Sequence, residues 1–149
     1  METQKTIDVI NDLVVINNDR IEGYKTAAEE TKDEDLKTLF LSSIRTSQKC
    51  KNELEGEVLR LNGKVAEGTM ASGKIFRAWM DVKAAFTGKD RKAILESCEF
   101  GEDAAVKAYQ HTLTDHLEDL SAEQQHLIRE QYNLIKADHD KIKSMRDAA

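Results

Sequence analysis

The feature that most constrains this chain is the spacing of its apolar residues, which recur alternately three and four positions apart over residues 4 to 30. This period matches one face of an α-helix and differs from the alternation of a β-strand. The chain contains no proline, the residue that most disrupts a helix interior, so long helices are permitted. The face of this first helix is Ile7, Ile10, Val14, Asn17, Ile21, Tyr24 and Ala28.

A second helix is predicted to follow a capping box made by Thr31 and Glu34. It is expected to end at Gly63, a residue suited to a left-handed helix cap. Across the turn at Thr31, Ser47 is expected at the level of Asn17, where the two side chains would hydrogen-bond. The face is bulky at its ends and small or weakly polar at its centre. Its residues are Leu36, Phe40, Ser43, Ser47, Cys50, Leu54, Val58 and Leu61.

The segment GKVAEGTMASG, residues 63 to 73, is rich in glycine and small residues and is predicted to be a loop. A short amphipathic helix is expected next. Its face is Ile75, Trp79, Val82 and Phe86.

Two further long helices are predicted. One spans residues 91 to about 117 and is capped by Asp90. Its expected core positions are Leu95, Cys98, Glu102, Ala105, Tyr109 and Thr112. The other begins with a second capping-box pattern, Ser121 to Gln124. Its expected core face is Leu127, Gln131, Leu134, Asp138, Ile142 and Met145.

Strand-like alternation is absent from the sequence, which therefore predicts an all-α fold in a single domain over residues 1–149. Helices of about 27 residues are about 40 Å long, and four of them bury their apolar faces by packing side by side. The first and last helix pairs have short connections, whereas the connection over residues 63 to 90 can run the length of a bundle. We therefore expect a four-helix bundle in up-down-down-up order, with a crossover that contains the short extra helix.

The net charge of -6 argues against a nucleic-acid partner and against binding to an anionic membrane. No apolar stretch approaches the roughly 18 residues that cross a bilayer, and the N-terminus lacks the pattern of a secretory signal. Cys50 and Cys98 lie on apolar faces and are expected to be buried, reduced thiols. The expected compartment is the cytoplasm.

Three stretches carry a resemblance to known proteins: RAW at residues 77–79, CEFGEDAAVKAY at 98–109 and QYNLIKADHDKIKSMRD at 131–147. In order and spacing they resemble an uncharacterised bacterial family of ferritin-like four-helix-bundle proteins. The resemblance extends over nearly the whole chain. It implies a ferritin-like fold and a domain of unknown function, and it implies no reaction.

A ferritin-like di-iron site takes a Glu from each of two helices and a Glu-x-x-His pair from each of the other two. This sequence departs from that pattern, because all four histidines follow residue 110. Its Glu-x-x-His pair, Glu123 and His126, lies in the first turn of the last helix. A standard di-iron centre is therefore incomplete.

A partial site for iron or another divalent ion is geometrically possible. Glu99 and His139 each lie about 20 residues from the turn near residue 119, hence at one level of the hairpin, and Glu102 is one turn from Glu99. The candidate ligands are Glu99, Glu102, His139 and Asp138. The alternative is a structural role for these carboxylates. In that case Glu96, Glu99 and Asp103 are solvated, and Glu102 is half-buried against Tyr109 or a basic neighbour.

Three functions remain open. The leading hypothesis is a non-catalytic bundle without a cofactor that self-associates as a homo-oligomer. Its first helix has an apolar stripe widened by Val9, Leu13 and Ile16. The second hypothesis is a metal-binding or redox protein that uses the partial carboxylate–histidine site. The third is a small-ligand carrier whose cavity wall is the central layer of small residues. That layer comprises Ser43, Ser47, Cys50 and Ala105.

Overall fold

The computed structural model describes residues 3–68 and 91–149, and within these ranges the chain is helical and has no β-strand. The helices are α1 (Thr3–Glu30), α2 (Glu34–Arg60), α3 (Arg91–Asp115), a short 3₁₀ turn (Leu117–Asp119) and α4 (Ala122–Ala148). The predicted all-α class is confirmed for this part of the chain, with four long helices as in a four-helix bundle. None of these helices combines the length and apolar character that a bilayer-spanning segment needs. The predicted short helix, its crossover and the cap at Asp90 lie outside the described residues.

The turn from α1 to α2 differs from the predicted capping box. Asp33 is the N-cap residue of α2, and its side chain makes no capping hydrogen bond. The hydroxyl of Thr31 accepts a hydrogen bond from the backbone N–H of Asp33 at 3.2 Å, so it caps the turn and not the helix. Glu34 and Asp35 in the first turn of α2 supply the negative charge that favours a helix N-terminus.

The C-terminus of α2 forms a Schellman motif. The backbone N–H of Asn62 donates to the carbonyl of Leu59 at 3.0 Å, and that of Gly63 donates to the carbonyl of Val58 at 2.9 Å. The residue with left-handed geometry is Asn62, with φ 62°, so the prediction that Gly63 is the left-handed cap was wrong. Gly63 has a different role, because a Cβ at this position would lie 2.9 Å from two side-chain carbons of Ile7. Its lack of a side chain allows α1 to approach the end of α2.

The apolar core consists of two clusters. The first core cluster includes Ile10, Leu13, Val14, Leu54, Val58, Ala105, Tyr109, Ile128 and Ile135. The second core cluster includes Tyr24, Leu36, Phe40, Leu95, Cys98 and Ile142. Every long helix contributes to both clusters, and on every helix a polar residue lies between its two contributions. These four residues, which we call the polar layer, are Arg20, Ser47, Glu102 and Asp138.

The broad apolar stripe of α1 is covered by the chain itself. Val9, Leu13 and Ile16 belong to the first core cluster and are 6%, 0% and 3% exposed. These residues therefore offer no surplus apolar surface, and the basis for predicting a self-association interface on the first helix is removed.

The inward face of α4 is rotated from the predicted one. Gln131 and Ile142 are buried as predicted, whereas Leu134 is 40% exposed. The other aliphatic residues that face the core are Ile128 and Ile135, each one residue after a predicted position. Leu127 and Met145, also predicted to face the core, are only partly buried. Gln131, which lies on both the predicted and the observed face, donates from its side-chain amide to the carbonyl of Cys50 on α2 at 3.2 Å. The predicted capping box of Ser121 and Gln124 is confirmed.

Substitution by alanine is expected to have opposite effects on stability at Gly56, within α2, and at Gly63, in the turn that follows α2. We expect Gly63→Ala to destabilise the fold by about 1–3 kcal/mol, because the added methyl group overlaps the side chain of Ile7. Gly56→Ala is the matched control: Gly56 lies on the exposed side of α2 with open space around it, and alanine is the better helix former by about 1 kcal/mol. Urea unfolding of both variants measures the signs, and a Gly63→Ala variant as stable as Gly56→Ala would contradict this account.

Candidate functional site

The polar layer is organised around the guanidinium of Arg20, which is fully buried. Its Nε and Nη2 donate to the two carboxylate oxygens of Glu102 at 2.5 and 2.9 Å, a bidentate pair. Its Nη1 donates to the hydroxyl of Ser47 at 2.5 Å, and Nη2 also donates to Asp138 at 3.2 Å. One arginine of α1 thus binds a side chain from each of the other three helices.

The layer contains two carboxylates and one guanidinium. Burial raises the pKa of Glu102, and the opposing effect of Arg20 does not fully offset it. Burial alone would lower the pKa of Arg20, but Glu102 raises it above its ordinary value, so this arginine stays charged. Because Arg20 pairs with both carboxylates, the layer links α1 to α3 and α4.

A second polar chain crosses the bundle beside the first core cluster. The amide of Asn17 donates to the carbonyl of Leu13 and to the hydroxyl of Tyr109, both at 2.9 Å. That hydroxyl donates to Gln131 at 2.8 Å. The predicted hydrogen bond between Asn17 and Ser47 is absent, because Ser47 accepts its bond from Arg20.

The central layer of small residues borders this arginine. Ser43, Ser47, Cys50 and Ala105 are all buried, as predicted. The guanidinium of Arg20 lies against Ser47 in the layer for which the sequence suggested a ligand cavity. Cys50 and Cys98 are free and buried, and burial raises the pKa of both thiols, that of Cys50 to about 11. Neither cysteine therefore has the character of a reactive thiolate.

The structure separates the predicted metal ligands into two groups. Glu102 and Asp138 face Arg20 in the polar layer. Glu99 and His139 lie together beside Asp103, and one potential ligand atom from each of these three residues lies within 4.8 Å of the others. We call this group the outer cluster. Asp103 was expected to be solvated and was not among the predicted ligands.

The outer cluster has its own hydrogen bonds. Nε2 of His139 contacts Asp103, and Nδ1 lies 3.1 Å from Asp140. Glu99 accepts a hydrogen bond from Arg146. Burial alone would lower the pKa of His139, but the bonds to Asp140 and Asp103 raise it above its ordinary value.

Of the other histidines, His116 lies after α3 and its Nδ1 is 3.3 Å from Asp119, whereas His111 and His126 lie on exposed helix surfaces. His111 pairs with Asp115 at 2.7 Å, and His126 pairs with Glu130 at 3.1 Å. The partner of His126 is therefore Glu130, one turn later on α4, and not Glu123 of the Glu-x-x-His pair.

Sequence reasoning missed Arg20 and Arg146. Arg20 lies one position away from the apolar stripe of α1, where a charged residue ordinarily reaches solvent. A signal was present in its partners, because Glu102 and Asp138 fall on the core faces of two helices. Buried carboxylates need a cation or a proton, and small residues such as Ser47 leave room for a long side chain.

The family model of a domain of unknown function, DUF2383, matches residues 5–115, which include α1, α2 and α3 almost completely. No curated protein matches the chain.

The buried pair predicts a large loss of stability on removal of one partner. We expect Arg20→Met to lower the free energy of unfolding by about 3–5 kcal/mol, because Glu102 and Asp138 lose their cation inside the core. Arg60→Met is the matched control, since Arg60 forms an exposed ion pair with Glu57, and its loss costs less than about 1 kcal/mol. Urea unfolding distinguishes them, and equal losses would show that the polar layer contributes no more than a surface pair.

The raised pKa of His139 predicts a pH-dependent stability. A histidine whose pKa is higher in the folded state stabilises the fold fully below its unfolded pKa, near 6.5, and the contribution is lost as pH rises through the folded pKa. We therefore expect stability to decline from mildly acidic to mildly alkaline pH. Unfolding in urea with a chelator present should show this decline in the wild type and in His111→Gln, and a weaker decline in His139→Gln. Identical slopes in all three would refute the assignment.

Proposed function

Since the chain belongs to the family of the domain of unknown function DUF2383, whose description names no activity, we propose a function from its own geometry. In this proposal the protein is a non-catalytic helical bundle that acts by pairing with a second copy of itself. The observation that carries it is the exposure of Leu134 in the groove between α2 and α4, together with the opposite charges on the two sides of that groove. The engagement of the buried charged groups with one another supports the non-catalytic part.

The groove between α2 and α4 is the proposed pairing surface. Leu134 of α4 lies in it and is 40% exposed, and Leu41 of α2, one turn before the groove residue Arg45, is 49% exposed. A single exposed leucine is ordinary, but Leu134 lies in a groove between two helices, where it is apolar surface that association would cover. The groove is lined by Ser42, Arg45, Thr46, Lys49, Glu130, Asn133 and Leu134.

The charges of the groove favour a second copy as the occupant. Arg45 and Lys49 give its α2 side positive charge, and Glu130 gives its α4 side negative charge. Gln131 bonds to Cys50 at 3.2 Å, so Glu130 lies near the level of Lys49. A two-fold axis parallel to the helices sets α2 of each copy against α4 of the other and pairs these opposite charges. An axis across the helices would pair like charges.

We also propose the ferritin-like, up-down-down-up arrangement with a lengthwise crossover. Three contacts between helix ends support it. The hydroxyl of Thr6 near the start of α1 donates to the carbonyl of Asp119 just after α3 at 2.5 Å. Arg91 at the start of α3 bonds to Asp35 at the start of α2 at 2.6 and 3.0 Å. The end of α2 meets the start of α4 through Glu57 and Gln124. The end of α2 and the start of α3 thus lie at opposite ends of the bundle, as a lengthwise crossover requires.

A cytoplasmic location is part of the proposal. It is supported by the free state and burial of Cys50 and Cys98, since reduced thiols are typical of reducing compartments.

The pairing predicts a dimer whose stability depends on Leu134. We expect the wild type to be dimeric by light scattering at micromolar concentration. Leu134→Lys should weaken the dimer at least about tenfold, because it removes an apolar contact and places a positive charge against Arg45 and Lys49 of the second copy. Leu59→Lys is the matched control, since Leu59 is 62% exposed on α2 but does not line the groove. A monomeric wild type, or equal effects of both substitutions, would reject the proposal.

A charge exchange tests the orientation of the two copies. Lys49→Glu and Glu130→Lys should each weaken the dimer, and the double variant should recover most of the loss, because it restores opposite charges across the two-fold axis. A double variant that binds no more tightly than either single variant would reject the axis parallel to the helices.

A further inference from the structure

The outer cluster has no part in the pairing surface, because its residues lie on α3 and α4 and do not line the α2–α4 groove. We propose that Glu99, Asp103 and His139 bind a divalent first-row transition-metal ion, such as Mn²⁺, Fe²⁺ or Zn²⁺. This site uses Asp103 as its third ligand and leaves Glu102 in the polar layer.

The geometry of the cluster suits a single ion. Glu99 and Asp103 are four residues apart on α3, which places both carboxylates on one helix face, and His139 reaches them from α4. Their ligand atoms, two oxygens and one imidazole nitrogen, lie within 4.8 Å of one another. Three protein ligands leave coordination positions for water or for an outside ligand.

The imidazole of His139 is oriented as in a metal site. Its Nδ1 lies 3.1 Å from Asp140, whose carboxylate is held in turn by Lys136 at 3.0 Å. A carboxylate on one ring nitrogen fixes the ring and raises the basicity of the other nitrogen, which is the usual support of a metal-bound histidine. The other nitrogen, Nε2, faces Asp103 inside the cluster.

Arg146 acts as a competing cation at this site. It donates to Glu99 through Nη1, while Nε and Nη2 bind Asp147 at 3.2 and 2.9 Å. An arriving ion therefore displaces only one hydrogen bond of Arg146, and the guanidinium keeps its carboxylate partner. The competition lowers the affinity for the ion without closing the site.

The ligand set selects the class of metal. Mg²⁺ and Ca²⁺ prefer oxygen ligands alone, whereas imidazole together with carboxylates suits Mn²⁺, Fe²⁺ and Zn²⁺. Among these ions Zn²⁺ binds nitrogen-containing sites more tightly than Mn²⁺. Binding also requires a neutral imidazole, so it releases a proton from His139 wherever the histidine is charged.

The test is titration calorimetry of the full chain after chelation and dialysis, with Zn²⁺, Mn²⁺ and Mg²⁺ as probes. We expect one Zn²⁺ per chain, weaker binding of Mn²⁺, no binding of Mg²⁺, and a Zn²⁺ affinity that falls with pH on the acidic side. Asp103→Asn and His139→Gln should each lower the Zn²⁺ affinity at least tenfold. His111→Gln with Asp115→Asn, which removes the exposed pair of α3, should leave it unchanged. Absence of stoichiometric binding, or binding that survives both cluster substitutions, overturns the proposal.

A variant of Arg146 provides a second test, because it is expected to raise the Zn²⁺ affinity and a misfolded variant would not do so. Arg146→Gln removes the competing cation from Glu99, so it should raise the Zn²⁺ affinity several-fold. An unchanged or weaker affinity removes Glu99 from the ligand set and refutes the three-ligand site. Circular dichroism of each variant in chelator confirms that the helices are intact before titration.

Discussion

The buried charge of Arg20 is the constraint on which the rest of this bundle depends. A guanidinium without water has to find hydrogen-bond acceptors inside the protein, because leaving such a charge unpaired costs several kcal/mol. Its acceptors are Ser47, Glu102 and Asp138, one from each of the other helices. A shift of any helix by one turn would remove an acceptor from reach. The interaction therefore fixes the level of all four helices at one point.

The polar layer lies between the two core clusters and separates them. Apolar contacts are non-directional, so on their own they leave some freedom in the register of neighbouring helices. The polar layer removes that freedom, because charged hydrogen bonds require particular atoms at particular distances. Tyr109 and Gln131 add a second set of directional bonds at the level of the first core cluster. In this bundle the apolar clusters provide most of the stabilisation, and the polar contacts provide the register.

The sequence was informative where periodicity determines structure. The three-four spacing located all four described helices, and the capping-box pattern correctly placed the start of α4. It was less informative where tertiary contacts compete with local pattern. On α4 the buried aliphatic residues include Ile128 and Ile135, whereas the apolar pattern had placed Leu127 and Leu134 at those levels. The left-handed residue is Asn62, and the neighbouring Gly63 instead provides close packing against Ile7.

The candidate site shows the same limit. Glu99 and His139 could be paired from their distances to the turn, since helices of equal rise bring such residues to one level. The choice between Glu102 and Asp103 could not be made, because it depends on which carboxylate turns to Arg20. That arginine lies one position off the apolar stripe of its helix, and only the packed structure brings it inward.

The polar layer and the outer cluster are joined by consecutive residues. Glu102 faces Arg20 while Asp103 faces outward on α3, and on α4 Asp138 faces Arg20 while His139 faces outward. The positions of two proposed ligands are therefore set by neighbours that are anchored on the buried guanidinium. The electrostatic link runs the same way, since the charge of His139 lowers the pKa of Glu102 and the charge of Glu102 raises that of His139. An ion at the outer cluster would bind to ligands whose backbone is already held in place, and the energy for that order comes from the core.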